Sequence, residues 1–337
     1  MSASAIEWTD VTWNPVRGCS MAPGSEAGGC LNCYAARMAS RNLPEMRSPT
    51  TGKAFARRTA KGPRWTGAVE LIPSKLDEPL HWRKPRRVFV NSMSDLFHEA
   101  LPAEDVAEVF RVMARCPQHT FQILTKRPGR MLELVPRVVA TWGILPNVWL
   151  GVSVEDQATA DARIPLLLQT PAAKRFVSYE PALGPVDFGR YYFTTLPGRE
   201  AREYPFPQLD EEDRTKWLDL LDWIIVGGES GPGARPFNSQ WARSTVFQCR
   251  DTKTACFVKQ MGCNILDRND RLATDNPAPW PDLWPEPESG WDDGARGNLE
   301  HLDDGYQGAP VRIRLKSSKG GDMAEWPEDL RVREFPA

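Results

Sequence analysis

The segment Val148-Trp149-Leu150-Gly151-Val152-Ser153-Val154-Glu155, followed after Asp156 by the helical pattern of residues 157–168, decides the fold class. The first part is apolar on both alternating faces, as a strand covered from two sides must be. The second spaces its apolar residues as one face of a helix. The same unit recurs on either side. Residues 87–92 (Arg-Val-Phe-Val-Asn-Ser) precede a helical pattern over 103–115, with Val106, Val109, Phe110 and Met113 in phase. Residues 120–128 precede another over 129–141. Further apolar stretches follow at 174–181, at 222–231 with a helix over 239–250, and at 255–262. A weaker strand lies within 9–17. About seven βα units predict an α/β chain, a full or partial (β/α) barrel of six to seven parallel strands. A doubly wound open sheet is the alternative.

Two stretches interrupt the rhythm. Residues 189–221 read as an insertion, with a helix over 210–221. Beyond residue 262 the chain turns irregular and rich in Trp, Pro and Asp, as in Pro277-Ala278-Pro279-Trp280-Pro281-Asp282-Leu283-Trp284-Pro285. The division predicted is a barrel over 1–262, with a basic connector at 43–87, and a C-terminal extension over 263–337. That extension is expected to pack on the barrel, because its tryptophans need burial.

At 337 residues the chain has ample material for a buried core, and 41% hydrophobic and 26% charged residues are ordinary for a soluble globular protein. Seven cysteines without a disulfide-like pattern suggest a reducing compartment. The first residues lack a signal-peptide pattern, and no apolar run approaches membrane-spanning length, so a cytoplasmic protein is expected. The net charge of −2 hides an asymmetry. Residues 37–87 hold 13 Lys/Arg against 4 Asp/Glu, and residues 264–337 hold 9 against 16. Either the first region meets an anionic partner or the two regions neutralise each other. Within it, residues 53–64 interleave cations with aromatics in a way suited to a nucleic acid strand. A loop lying over a barrel mouth would look the same.

The loop Gly18-Cys19-Ser20-Met21-Ala22-Pro23-Gly24-Ser25-Glu26-Ala27-Gly28-Gly29-Cys30-Leu31-Asn32-Cys33 spaces three cysteines as C-x10-C-x2-C. Cys30 and Cys33 open an expected helix over 33–42, so both sulfurs can face one spot. The glycines let Cys19 swing round to join them. Three thiolates together need a metal to offset their repulsion. A 4Fe–4S cluster on three cysteines leaves one iron open for a ligand. Structural zinc wants four ligands, usually two Cys/His pairs, and only one pair is present. Unliganded thiols are the plain alternative. Cys249, Cys256 and Cys263 read as structural thiols.

In such barrels chemistry gathers on the loops that leave the C-terminal strand ends. Those ends carry Ser92 and Asp95, Lys126 and Arg127, Ser153 and Glu155, Glu180, Gly227-Gly228-Glu229, and Lys259-Gln260. The cysteine loop leaves the first strand on the same rim. The spacing of Gly227 to Gly233 is not that of a dinucleotide fingerprint, and the stretch reads as a backbone-donor loop for a small ligand.

Taken together, these features resemble the radical S-adenosylmethionine enzymes. More narrowly, they are similar to a phage and prophage family of uncharacterised three-cysteine-motif proteins. The similarity is carried by Trp13-Asn14-Pro15, the cysteine elements, Ser178-Tyr179-Glu180-Pro181, Gly227-Gly228-Glu229-Ser230-Gly231, Gly320-Gly321-Asp322 and Glu325-Trp326-Pro327. Two features depart from the wider superfamily. Its usual cysteine spacing is C-x3-C-x2-C, and its Gly-Gly-Glu follows the second strand rather than the sixth. The resemblance implies a 4Fe–4S cluster on Cys19, Cys30 and Cys33, with S-adenosylmethionine on the open iron. An external electron donor would then drive formation of a 5′-deoxyadenosyl radical. By their strand-end positions, Ser92, Lys126, Ser153, Glu155, Gly227, Gly228 and Glu229 are the expected cofactor contacts. Asp95, Glu180 and Lys259 would lie nearest the substrate, a nucleic acid base being one candidate. Two rival readings are a zinc-stabilised nucleic-acid-binding protein and a barrel hydrolase that uses Glu180 and Glu229.

Overall fold

In the computed structural model, which describes residues 4, 6–25, 28–41, 43–190, 215–267, 311–313 and 315–336, seven strands form one all-parallel sheet. They are β1 Val11–Trp13, β2 Arg87–Val90, β3 Thr120–Thr125, β4 Val148–Val154, β5 Lys174–Tyr179, β6 Trp223–Gly227 and β7 Ala255–Gln260. Their order across the sheet is their order in the chain. A doubly wound sheet must reverse that order at some strand. This one never does, so every crossover winds the same way and the sheet curls into a half-barrel.

Among the described residues, the helices of six residues or more are α1 Tyr34–Ala39, α2 Ala103–Ala114, α3 Pro128–Trp142, α4 Gln157–Gln169 and α5 Ser239–Thr252. Strand side chains alternate between two cores, as the two-residue period requires. Val88, Ile123, Leu150, Val152, Val177, Ile224 and Val258 face the helices, against Val109, Phe110, Leu134, Ile164 and Val246. The alternate set, Phe89, Trp149, Phe176, Trp223, Ile225 and Phe257, turns inward and is plugged by Trp8. Gly151 is part of that inner packing. It pairs with Phe176, and a Cβ at residue 151 would fall 2.5 Å from the Phe176 ring. Further along the same inward rows come Lys126, Ser153, Glu155, Ser178, Glu180 and Lys259. The barrel therefore has an aromatic floor and a polar mouth.

Some expectations change in detail. The weak first strand divides at Pro15, which has no N–H to continue a ladder. β1 ends at Trp13, and Val16–Arg17 instead pair antiparallel with Glu70–Leu71. The expected helix over 33–42 is shorter, Tyr34–Ala39, with Cys33 as its N-cap residue. In the insertion a short helix spans Trp217–Leu220, while residues 191–214 lie outside the described residues. Residues 277–285, with Trp280 and Trp284, also lie outside them. Nearer the end, Trp326 and Leu330 are buried in the outer core. Val332 and Glu334 run along the edge of β7, where Val258 N donates to Val332 O and Glu334 N to Cys256 O. Cys249 and Cys256 are buried, while Cys263 is exposed and donates to Ser318 O. Among the described residues no helix is long and apolar enough to cross a membrane.

Candidate functional site

The cysteine loop lies over the polar mouth and is tied to it at three places, each built on an arginine–carboxylate pair. The first holds Cys19. Arg127 follows β3, with its side chain 3% exposed, and its Nη1 donates to Asp95 Oδ2 at 3.2 Å. Its Nε reaches Glu99 Oε2 at 2.8 Å. Its Nη2 donates to Ser20 O and Ser20 Oγ at 3.2 and 3.0 Å, and its Nη1 lies 3.9 Å from Cys19 Sγ. Asp95 is itself fully engaged. Its Oδ1 accepts from Thr125 Oγ1 and Phe97 N, and its Oδ2 also accepts from Lys126 N. Asp95, expected near the substrate from its position, is bonded here to Arg127, Thr125, Phe97 and Lys126.

The second tie lies under Cys30. The Asp156–Thr159 capping box starts α4, and Thr159 Oγ1 also accepts from Glu155 N, which fixes Glu155 at the strand end. The Glu155 side chain is fully buried between Lys126 Nζ at 3.0 Å and Arg163 Nη1 at 2.8 Å. Burial alone would raise its pKa, but the Lys126 and Arg163 cations outweigh that and hold it below the ordinary value. Gly29 N donates to Glu155 Oε1, and Arg163 Nη2 donates to the buried Ser25 Oγ at 2.6 Å. The loop approaches so closely that a Cβ at Gly29 would sit 3.0 Å from Pro181 and 3.1 Å from Glu155.

The third tie flanks Cys33. Arg235 Nε and Nη2 form a fork on Glu229, at 3.1 Å to Oε2 and 2.8 Å to Oε1, while Arg235 Nη2 also donates to Gly28 O. Asn32 Nδ2 donates to Glu229 Oε2 at 3.1 Å. Burial pushes the Glu229 carboxyl up, and its hydrogen bonds from Arg235 and Asn32 bring it below its usual range. The neighbouring backbone is also committed, since Gly228 N donates to Gln260 O and Gly231 N to Cys263 Sγ. Gly228 is glycine because a Cβ there would fall 2.4 Å from Met261 O. The expected backbone-donor role of this loop is thus spent on internal packing at those two amides.

One ion pair stands apart from the ties. Lys259 Nζ lies 3.0 Å from Glu180 Oε1, and Ser178 Oγ donates to Glu180 Oε2. A Cβ at Gly227 would meet Glu180 Oε1 at 2.8 Å, so the glycine makes room for this carboxylate. Ser92 donates to Asn14 Oδ1, and its carbonyl accepts from the Tyr34 hydroxyl. Ser153 is buried, with its carbonyl receiving Arg163 Nη1.

Cys19 lies within electrostatic reach of Cys30 and Cys33. Burial pushes the Cys19 thiol up to about 12; Asp95 adds to the rise, Arg127 opposes it, and the nearby Cys33 and Cys30 add a little more. Among the described residues no three His, Cys, Asp or Glu side chains stand together as a ligand set for one metal ion. A structural zinc takes four ligands, usually two Cys/His pairs. Three soft cysteine donors on one loop suit a larger iron–sulfur centre, whose corners hold thiolates further apart.

A family model described as "Protein of unknown function (DUF5131)" matches residues 3–297, which include the cysteine loop and all seven barrel strands. The chain belongs to this family. No curated protein and no solved structure matches it.

In this family member the sequence brought forward the cysteines and the strand-end carboxylates, and missed Arg163, Arg235, Asn32 and Ser25. Arg163 had left a signal. It interrupts the buried stripe of α4 between Ala160 and Ile164, and a cation on a helix's apolar face needs a buried partner. Arg235, in a Gly-Pro-rich loop, left none.

Proposed function

We propose that this protein is a radical S-adenosylmethionine-type enzyme that holds a 4Fe–4S cluster on Cys19, Cys30 and Cys33. The observation that supports this best is the tethering of one three-cysteine loop across the polar mouth of a half-barrel. Bound there, the cluster and S-adenosylmethionine would supply one chemistry: an electron from an external donor cleaves the sulfonium, giving methionine and a 5′-deoxyadenosyl radical that takes a hydrogen atom from the substrate. The protein's own part is to orient the reactants and exclude water. The aromatic floor around Trp8 and Trp223 closes the barrel below, and the loop at Gly28–Gly29 covers Glu155 and Lys126 above. Glu180 and Lys259, bound to each other rather than to the loop, are the polar pair left to orient a substrate. Glu229 carries a lowered pKa and is forked by Arg235, which suits an anchor and not the general acid of a hydrolase. Anaerobic reconstitution with iron and sulfide, then assay for 5′-deoxyadenosine, tests the proposal.

A nucleic acid is the substrate class that fits the surface beside this mouth. The hairpin of Ala56–Thr59 and Gly62–Trp65 exposes Arg57, Arg58 and Lys61, and packs on α1 through Ala56 and Trp65. Arg64 Nη1 joins it to Leu31 O of the cysteine loop. Tyr34, a partly exposed residue of the adjacent helix whose hydroxyl is held by Ser92 O, is the aromatic nearest to hand for stacking on a base. Binding to single-stranded DNA or RNA is expected to weaken with salt. Changing Arg57, Arg58 and Lys61 together to Gln should lower the log–log slope by about 2. An absence of binding at low salt would remove nucleic acid as the substrate class.

A further inference from the structure

We infer that Arg163 and Arg235 are positioning residues: with Glu155 and Glu229 they hold the cysteine loop in place across the barrel mouth before any metal arrives. Arg127 with Asp95 does the same for Cys19. This rests on the reading of Cys19, Cys30 and Cys33 as the metal-binding cysteines. Each tie lands on a residue next to a cysteine: Ser20 beside Cys19, Gly29 beside Cys30, and Asn32 beside Cys33. The loop is rich in glycine, and among its described residues Ala22 is buried while Met21 and Leu31 are exposed, so its apolar anchoring is small. Without the ties its conformational entropy would scatter the thiols.

The energetics favour positioning over general stability. A buried ion pair adds little net stability, because desolvation offsets most of the attraction, and well-packed apolar residues would serve the wall of α4 as well. Apolar residues could not donate to Ser25 Oγ or accept from Gly29 N, as Arg163 and Glu155 do. Nor could they bridge Glu229 to Gly28 O, as Arg235 does. The described structure also contains an internal control. Arg243 Nη1 pairs with the buried Asp267 at 2.9 Å, and its Nε with Asp329 at 2.8 Å, joining α5 to the C-terminal segment. None of its bonds reaches the cysteine loop.

The test compares Arg163→Gln, Arg235→Gln and Arg243→Gln in the full-length, metal-free protein. The rate at which a small aromatic disulfide modifies each of the three cysteines is followed by peptide mass mapping, with thermal midpoints measured in parallel. Loosening either tie should speed modification of Cys30 and Cys33 roughly tenfold or more. Arg243→Gln should leave those rates within about twofold, even where its midpoint falls as far. Arg235→Lys, which keeps the charge but loses the fork, should fall between wild type and Arg235→Gln. If Arg163→Gln does not fold, Ser25→Ala and the half-buried Arg235 site carry the comparison. Unchanged rates in the tie variants, or an equal rise in Arg243→Gln, would overturn the inference. Wild-type protein that takes up no iron would sink the cluster reading instead, and the thiol rates would still judge the ties.

Discussion

Replacing Trp223 with alanine is expected to lower stability by about 3–5 kcal/mol. The first residue of β6 is fully buried, and its ring meets five others inside the half-barrel. Centroids lie 6.1 Å from Trp8 and Trp149, 5.8 Å from Phe176, 6.0 Å from Phe257 and 5.3 Å from Phe335. Its Nε1 donates to Glu334 O at 2.9 Å, which ties the C-terminal segment to the barrel floor. Truncation therefore removes buried apolar area, opens a cavity between strands that cannot all relax, and frees that carbonyl. Urea denaturation should show the midpoint falling sharply with little change in slope. Trp223→Phe retains most of the packing and should cost less than half as much. A loss below about 1 kcal/mol for the alanine variant would mean that the floor is not built around this ring.

Asp95→Ala is expected to cost a similar amount, about 3–5 kcal/mol, through electrostatics and not through packing. The carboxylate accepts from Thr125 Oγ1, Phe97 N, Lys126 N and Arg127 Nη1. Removing it leaves a buried guanidinium short of a counter-charge. Arg127 holds its proton more tightly than usual because Asp95, Cys19 and Glu99 outweigh its burial, so it cannot shed the charge to escape. Among the described residues, Glu99, 57% exposed, would remain as its carboxylate partner. Asp95→Asn keeps an acceptor and should fall between wild type and alanine in urea midpoint. A substrate-facing catalytic carboxylate would behave differently: Asp95→Asn would abolish turnover and leave the midpoint unchanged. That pattern would return Asp95 to the role its strand-end position suggested.

The bonding of Asp95 shows how far sequence reading reached. Strands such as Val148–Val154 announce themselves because apolar side chains are required on both faces, and the helices because their stripes repeat. Those are local periodicities, and they gave seven strands in chain order. The mouth was legible as a set of positions, since Lys126, Glu155, Glu180 and Lys259 all stand at or just past the ends of apolar strands. Which of them faces a ligand and which faces the cysteine loop depends on pairings across more than a hundred residues, such as Gly29 with Glu155 and Asn32 with Glu229. No local pattern encodes such a partner. Asp95 and Glu180 look alike in sequence, each a carboxylate just past a strand. One lies behind Arg127 and the other beside Lys259 because of where those distant cations arrive. The split of the first strand was readable at Pro15, whereas the pairing of Val16–Arg17 with Glu70–Leu71 was not.

The measurement that bears most directly on the proposed function is anaerobic reconstitution with iron and sulfide, followed by a low-potential reductant and S-adenosylmethionine. The account predicts about four iron and four sulfide ions per chain and formation of 5′-deoxyadenosine, both lost when Cys19, Cys30 or Cys33 is changed to alanine. A colourless protein that takes up zinc and no iron, or an iron-loaded protein that releases no 5′-deoxyadenosine, would contradict it.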